Sequence, residues 1–235
     1  MWIYADYEAT SLFSLKPATS TSSGGKTLLI PTPFAIKMAL LDVICRAEGI
    51  TQAAQVWGIL APARVALRPS TRIVVNNTFT KVWKTRRNPA ELGSRHEGPL
   101  GASIAYREYA YLDGAFGIGI DLPFSKTLSY ERVAQWMMGI QYLGKRGSFV
   151  QLHSLPETAE TLPEAYLILD GSLPDPLPLE GIMHQVDDSS PTATFSRVNI
   201  YAEDKLELGK HRLLHPVLLP YRIKRTSRSF TLYER

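Results

Sequence analysis

Apolar and polar positions alternate along most of this chain, and helical spacing takes over in a few stretches. Trp2 and Tyr4, then Leu12 and Phe13, interleave with Asp6 and Glu8, which predicts a strand over residues 1–16. Phe34, Met38, Leu41 and Cys45 recur at helical spacing. Thr32 stands where an N-cap belongs and Pro33 at the first helical position, so a helix is expected at about 33–47, ended by Gly49. A shorter helical stretch covers 52–58. Arg64–Val75 reads as a strand, Asn76-Asn77 as a turn, and Thr78–Lys84 as β structure again. Residues 86–101, with Pro89, Pro99 and three glycines, read as a long loop, and 102–122 as a second long β region.

Ser129 caps a predicted helix over 129–142, with Val133, Trp136, Met137, Ile140 and Leu143 as its buried stripe and a glycine stop at Gly144 and Gly147. Phe149–Leu152 follows as a short strand. Residues 155–192 are rich in proline and acid and read as irregular surface, apart from a strand-like run at 165–170. Residues 195–201, 216–224 and 228–233 are strand candidates. The order is α+β, compatible with a ferredoxin-like or RRM-like core carrying a long β-hairpin arm at about 72–112, then a small irregular β-rich C-terminal region. The division expected is 1–152 for the core and arm and 153–235 for the remainder.

Composition narrows the class. The chain is 235 residues long, 45% apolar and 20% charged, ordinary for a folded protein. No apolar run reaches a membrane span, and the first residues lack a signal-peptide pattern, so a cytoplasmic protein with no membrane partner is expected. The single cysteine, Cys45, excludes an internal disulfide framework and a multi-cysteine zinc site, and reads as a small core residue. The net charge of +4 hides a strong segregation: residues 64–107 carry +7, residues 147–204 carry −9, and residues 205–235 carry +6. Such blocks point to a polyanion on one face and a protein or cationic partner on another.

Gly25-Lys26-Thr27 ends like a phosphate-binding loop, but Ser20 stands where the motif needs glycine, and Leu28-Leu29-Ile30-Pro31 follows instead of a helix. No ATPase is implied. Ser23, Gly25 and Lys26 remain candidates to hold a nucleic-acid phosphate through backbone N–H groups and one cation, or else form a solvated loop. His96, His153, His184, His211 and His215 form no metal-ligand pattern, so no metal and no cofactor is expected. Asp187-Asp188 reads as an acidic pair in a solvated turn. The stronger signal is the arm. Lys81, Lys84, Arg86, Arg87, Arg95 and His96 accompany Phe79 and Trp83, so cations can meet phosphates while an aromatic stacks on a base. In a strand, the alternation of Lys81-Val82-Trp83-Lys84 is expected to set cations and apolar groups on opposite faces; the bland reading has Trp83 packed down. Lys210, Arg212, Arg222, Lys224, Arg225 and Arg228 add a second cationic surface, or a charged edge that blunts strand pairing.

Three segments in this order resemble a known family. Pro31-Thr32-Pro33-Phe34-Ala35-Ile36-Lys37-Met38-Ala39-Leu40-Leu41, then Arg107-Glu108-Tyr109-Ala110-Tyr111-Leu112-Asp113, then Tyr142-Leu143-Gly144-Lys145-Arg146-Gly147-Ser148-Phe149 are similar to segments of the Cas-five family over about residues 1–152. These are RAMP-type subunits of type I CRISPR Cascade complexes. Lys37 departs from the pattern, standing near a common family glycine. The resemblance implies an RRM-like core with a thumb hairpin at about 76–105, binding to the crRNA 5′ handle, a cap on the Cas-seven backbone, contact with the Cas-eight large subunit, and target DNA met only indirectly. It places Ser23, Gly25, Lys26 and the first helix by the handle. Lys81, Trp83, Lys84, Arg86, Arg87, Arg95, His96, Lys145 and Arg146 are then expected RNA or filament contacts. One branch of the family cuts precursor crRNA with tyrosine, lysine and histidine. Here Tyr4, Lys84 and His96 are available, but Lys145 is followed by Arg146 rather than histidine, so no catalytic residue is assigned. The alternatives are a metal-independent endoribonuclease and a protein adaptor in a CRISPR-associated transposition complex.

Overall fold

The computed structural model describes residues 1–20, 25–88, 90–125 and 128–235. Its centre is an antiparallel sheet built from β1 (Trp2–Ala9), β2 (Arg64–Arg68), β5 (Phe116–Asp121) and β6 (Val150–Leu152), in the order β6-β1-β5-β2. Ile3, Ala5 and Tyr7 of β1 and Ile118 and Ile120 of β5 are buried under a helical layer. That layer comprises α1 (Pro33–Glu48), α2 (Ile50–Leu60) and α3 (Tyr130–Met138). The Tyr7 hydroxyl donates to the Met137 carbonyl at 2.9 Å and ties sheet to helix.

The first helix forms as its sequence predicts. Thr32 caps it through a 3.2 Å bond from the Ala35 N–H, and Pro33 takes the first turn. Gly49, at φ +87, closes α1 and lets α2 start at once. The third helix is shorter than the sequence suggests, ending at Gly139 rather than Gly144. At Gly139 a side chain would run into Val43 of α1, so the helices touch where glycine permits it and the chain leaves the layer there.

Two long β regions are each split between sheets. Pro69 and Ser70 separate β2 from β3 (Arg72–Thr85), and Gly114, at φ +82, separates β4 (Leu100–Asp113) from β5. The strands β3 and β4 pair without a bulge from Arg72↔Asp113 to Thr85↔Leu100, a hairpin arm of about 45 Å. Asn76-Asn77 is therefore no turn. The Asn77 side chain donates to the Arg228 carbonyl and accepts from the Tyr106 hydroxyl, which holds it in the strand. At its root the arm is widened by β11 (Arg222–Thr226) and β12 (Phe230–Glu234), giving the order β11-β12-β3-β4. The predicted strand 1–16 stops at Ala9, and Phe13 makes only an isolated bridge to Ala110.

The proline-rich segment is more ordered than its composition suggests. β7 (Glu157–Ala159) pairs with β1 and β8 (Leu167–Ile168) with β2. Tyr166 lies over Gly117 and Leu162 over Gly119, covering the sheet face opposite the helices. A further strand, β9 (Ile182–Ser189), pairs with β10 (Arg212–Leu219) and packs on α1. Nothing local announces β9, because its partner lies more than twenty residues ahead and its interior holds Asp187 and Asp188. Residues 195–201 are no strand: α4 (Phe195–Val198) turns there, with Val198 buried and Phe195 packed against the core at the three-residue spacing of a helix. Strands from both sides of residue 152 thus share the same sheets.

Candidate nucleic-acid interface

The arm presents its chemistry on two faces. In the unbroken register, residues 73, 75, 77, 79, 81 and 83 share one face with 102, 104, 106, 108, 110 and 112. Near the root that face is core, where Ile73, Val75, Ala110 and Leu112 are buried. Further out it is bare: Phe79 and Trp83 are each 70% exposed and Ile104 69%. Trp83 is not packed down. Lys81 lies on the same face as Phe79 and Trp83, because residues two apart point the same way, and Lys84 lies on the other with Val82. The expected separation of cations from apolar groups is thus replaced by a mixed strip. Lys81, Lys84, Arg87, Arg95 and His96 are exposed. Arg86 is half-buried, lies over Gly101 and donates to the Leu100 carbonyl at 3.1 Å, so it also braces the end of the hairpin.

The Ser/Gly loop meets the arm at Glu108. Ser23 lies outside the described residues. Gly25 sits so close to Tyr106 that a methyl group would collide with its carbonyl oxygen and ring, and the Gly25 carbonyl accepts the Glu108 N–H at 2.6 Å. Lys26 is ion-paired to buried Glu108 at 2.6 Å, and the Thr27 N–H donates to the other carboxylate oxygen at 3.0 Å. Burial pushes the Glu108 carboxyl up, but Lys26, the Tyr106 hydroxyl and the Thr27 amide together hold it below its ordinary value. The same bond to Glu108 raises Lys26. Lys26 therefore fastens the loop to β4, its side chain still largely in solvent.

Beside this junction a cleft of about 570 Å³ opens at the start of α1. Thr32, Phe34 and Ala35 bring the N-terminal end of a sixteen-residue helix to it, where the helix dipole favours an anion. Lys16, Arg107, Lys145 and Arg212 line it, with Asp187 the one acid among the residues lining it. Arg212 pairs with Asp187 at 2.5 Å and lays its guanidinium 4.4 Å from the centre of the Phe34 ring. Gly144, at φ +71, makes the turn that presents Lys145 to the cleft, while Arg146 lines a separate apolar groove farther along α1. The expected pair is thus divided. Lys16, Arg107 and Arg212 are scattered in sequence and join Lys145 only through the fold.

Asp187 and Asp188 are not a solvated turn. Asp187 is buried against Arg212, and Asp188 meets Lys37, whose side chain is 0% exposed. Lys37 donates to Asp188 at 2.6 Å and to the Ala61 carbonyl at 2.7 Å. Burial lowers Lys37 and raises Asp188, and each opposes the shift of the other. The candidate cleavage residues do not converge. The Tyr4 hydroxyl, on β1, donates to Glu157, whereas Lys84 and His96 lie at the far end of the arm.

A curated relative, CRISPR-associated protein Cas5 of Archaeoglobus fulgidus, is 23% identical over 206 residues, covering 86% of this chain and 85% of its own length. This chain resembles the Cas5 family. Among solved structures, a CRISPR protein from Archaeoglobus fulgidus matches at 16% identity and a TM-score of 0.44, covering all of this chain and 92% of that one. A component of a CRISPR RNA-guided surveillance complex matches at 15% identity and a TM-score of 0.48, covering 93% and 90%. No protein-family model matches. The Cas5 likeness extends past residue 152, since a match over 86% of the chain is longer than the first 152 residues.

Proposed function

We propose that this chain is a non-catalytic subunit of a type I CRISPR Cascade that holds the 5′ handle of crRNA. The observation that carries the reading is the cleft at the start of α1, where four cations from distant segments surround a helix N-terminus at the root of a cationic arm. The Cas5 likeness supports it. The antiparallel order β6-β1-β5-β2, with helices on one face, fits a ferredoxin-like, RRM-like core, and β3–β4 fits a thumb inserted between its second and third strands. The sheet face on which RRM modules stack bases is covered here by residues 157–168, which favours the cleft as the RNA site. Phe79, Trp83 and Ile104 give the thumb a wedge for the Cas-seven backbone, and the exposed acids outside β9 give a face for the large subunit. Cleavage needs groups within hydrogen-bond reach of one ribose, and Tyr4 is remote from Lys84 and His96, which favours binding without cutting.

The test uses the purified chain, the assembled complex and handle-containing RNA. Lys16→Ala/Lys145→Ala should weaken binding, and the salt slope should fall by about two, one per lost phosphate contact. Arg86→Ala/Arg87→Ala should impair assembly on crRNA. Equal affinity for a scrambled handle within the complex would overturn the reading. A specific cut of precursor crRNA in EDTA, abolished by His96→Ala, would replace it with an endoribonuclease. A complex that survives nuclease digestion intact would point to a protein adaptor.

A further inference from the structure

The root of the arm has a second face, and its composition is unusual for one turned to solvent. Pairing in register puts Tyr109, Asn76 and Phe230 in one row across β4, β3 and β12, and Tyr111, Val74 and Leu232 in the next. Side chains of paired residues point to the same side of a sheet. The opposite side of these strands is core, with Ile73, Val75, Ala110 and Leu112 buried. A sheet with one face on the core ordinarily presents polar residues on the other. Here the outer face carries three aromatic rings and two aliphatic side chains. Tyr111 is 49% exposed, and Tyr109, Val74, Phe230 and Leu232 are half-buried.

The surroundings are cationic. Arg225 pairs in register with Leu232 and holds its guanidinium 6.0 Å from the Phe230 ring. The acids at this root, Asp113 and Glu234, are matched by Arg72 and Lys224. Arg107 stands on the same face of β4 as Tyr109 and Tyr111 and also lines the α1 cleft. A strand leaving the cleft past Arg107 would therefore run directly onto these rings.

We infer that the outer face of β4-β3-β12 is a stacking platform for unpaired bases of single-stranded RNA, continuous with the α1 cleft through Arg107. Tyr109 and Tyr111 lie two residues apart on one strand, about 6.7 Å, so each offers a ring to a different base. Aromatic stacking tolerates any base, and the flanking arginines neutralise the backbone. Charge decides the occupant: cations predominate around the face, Asn76 and Thr78 break its apolar surface, and a polyanion with flat apolar bases matches both features. This platform rests on the nucleic-acid reading of the chain and adds base contacts to a cleft that holds phosphates.

The experiment compares two RNAs of equal length and charge, one intact and one with abasic residues at consecutive positions, by fluorescence anisotropy with the full chain. The wild type should bind the intact RNA about tenfold more tightly. Tyr109→Ala/Tyr111→Ala should abolish that preference, and Tyr109→Phe/Tyr111→Phe should keep it, because stacking needs the ring and not the hydroxyl. Lys16→Ala/Lys145→Ala should weaken both RNAs alike and leave the ratio unchanged. Equal wild-type affinity for the two RNAs would overturn the platform and spare the cleft. Binding to neither RNA would overturn both. A preference seen with the DNA versions alone would overturn the assignment to RNA.

Discussion

Replacing Lys37 with methionine tests how the acidic block is joined to the core. Lys37 is wholly buried in α1 and donates to Asp188 of β9 and to the Ala61 carbonyl after α2. Methionine keeps the length and apolar stem but removes the charge and its donors. Ala61 keeps one partner, the Ser189 hydroxyl at 2.7 Å, and Asp188 keeps the Ser189 N–H at 2.7 Å. What is lost is the compensation of a buried carboxylate, which costs about 3–5 kcal/mol when one partner of a buried pair is removed. Asp188 retains 14% exposure, so the lower end applies, about 3 kcal/mol. In a chain of this size that corresponds to a melting temperature lower by about 6–12 °C. Lys37→Met/Asp188→Leu should recover most of the loss, since replacing both charges removes the uncompensated one. Urea and thermal unfolding followed by circular dichroism read both variants. A single variant within about 1 kcal/mol of wild type, or a double variant no better than the single, would refute the reasoning.

Three further outcomes follow from particular sites. Gly25→Ala should destabilise by about 1–3 kcal/mol because Tyr106 has no room to move, while Gly58→Ala, in α2 with open space around it, should stabilise by up to about 1 kcal/mol in the same melts. Glu48, bonded by Arg132 and Trp136, and Glu108, bonded by Lys26, Tyr106 and Thr27, both titrate below their ordinary values in the folded chain. Their contribution is therefore complete above the unfolded carboxylate pKa of about 4.3 and is lost as pH falls through the depressed native values, so melting temperatures should drop below about pH 4, and less steeply in Glu108→Gln. Asp188, raised by burial, works in the opposite sense and flattens the curve without reversing it. Phe79→Ser/Trp83→Ser should leave stability within about 0.5 kcal/mol, because both rings are exposed, yet should reduce incorporation into an RNA-bound complex measured by size-exclusion chromatography.

Much of the fold was legible in local patterning. The first helix carried its cap and its proline, and the long arm showed in its paired β regions, because both depend on neighbours in sequence. Helix α4 and strand β9 were not legible: four residues are too short to show a period, and β9 is a strand only because β10 pairs with it. The arm's cations were found for the same local reason, clustered within fifteen residues of chain. The cleft was not, because Lys16, Arg107, Lys145 and Arg212 lie far apart in sequence and nothing in one segment refers to another.

The sequence by itself therefore determined the helices, the arm and the segregation of charge, which are set by spacing and composition. Only the tertiary structure decided what those charges do. It assigned Lys26 to Glu108, Asp187 to Arg212 and Asp188 to Lys37, so part of the −9 block is internal wiring and not a surface. The physical reason is that an ion pair is a distance between atoms, and segments remote in sequence acquire that distance only when the chain packs.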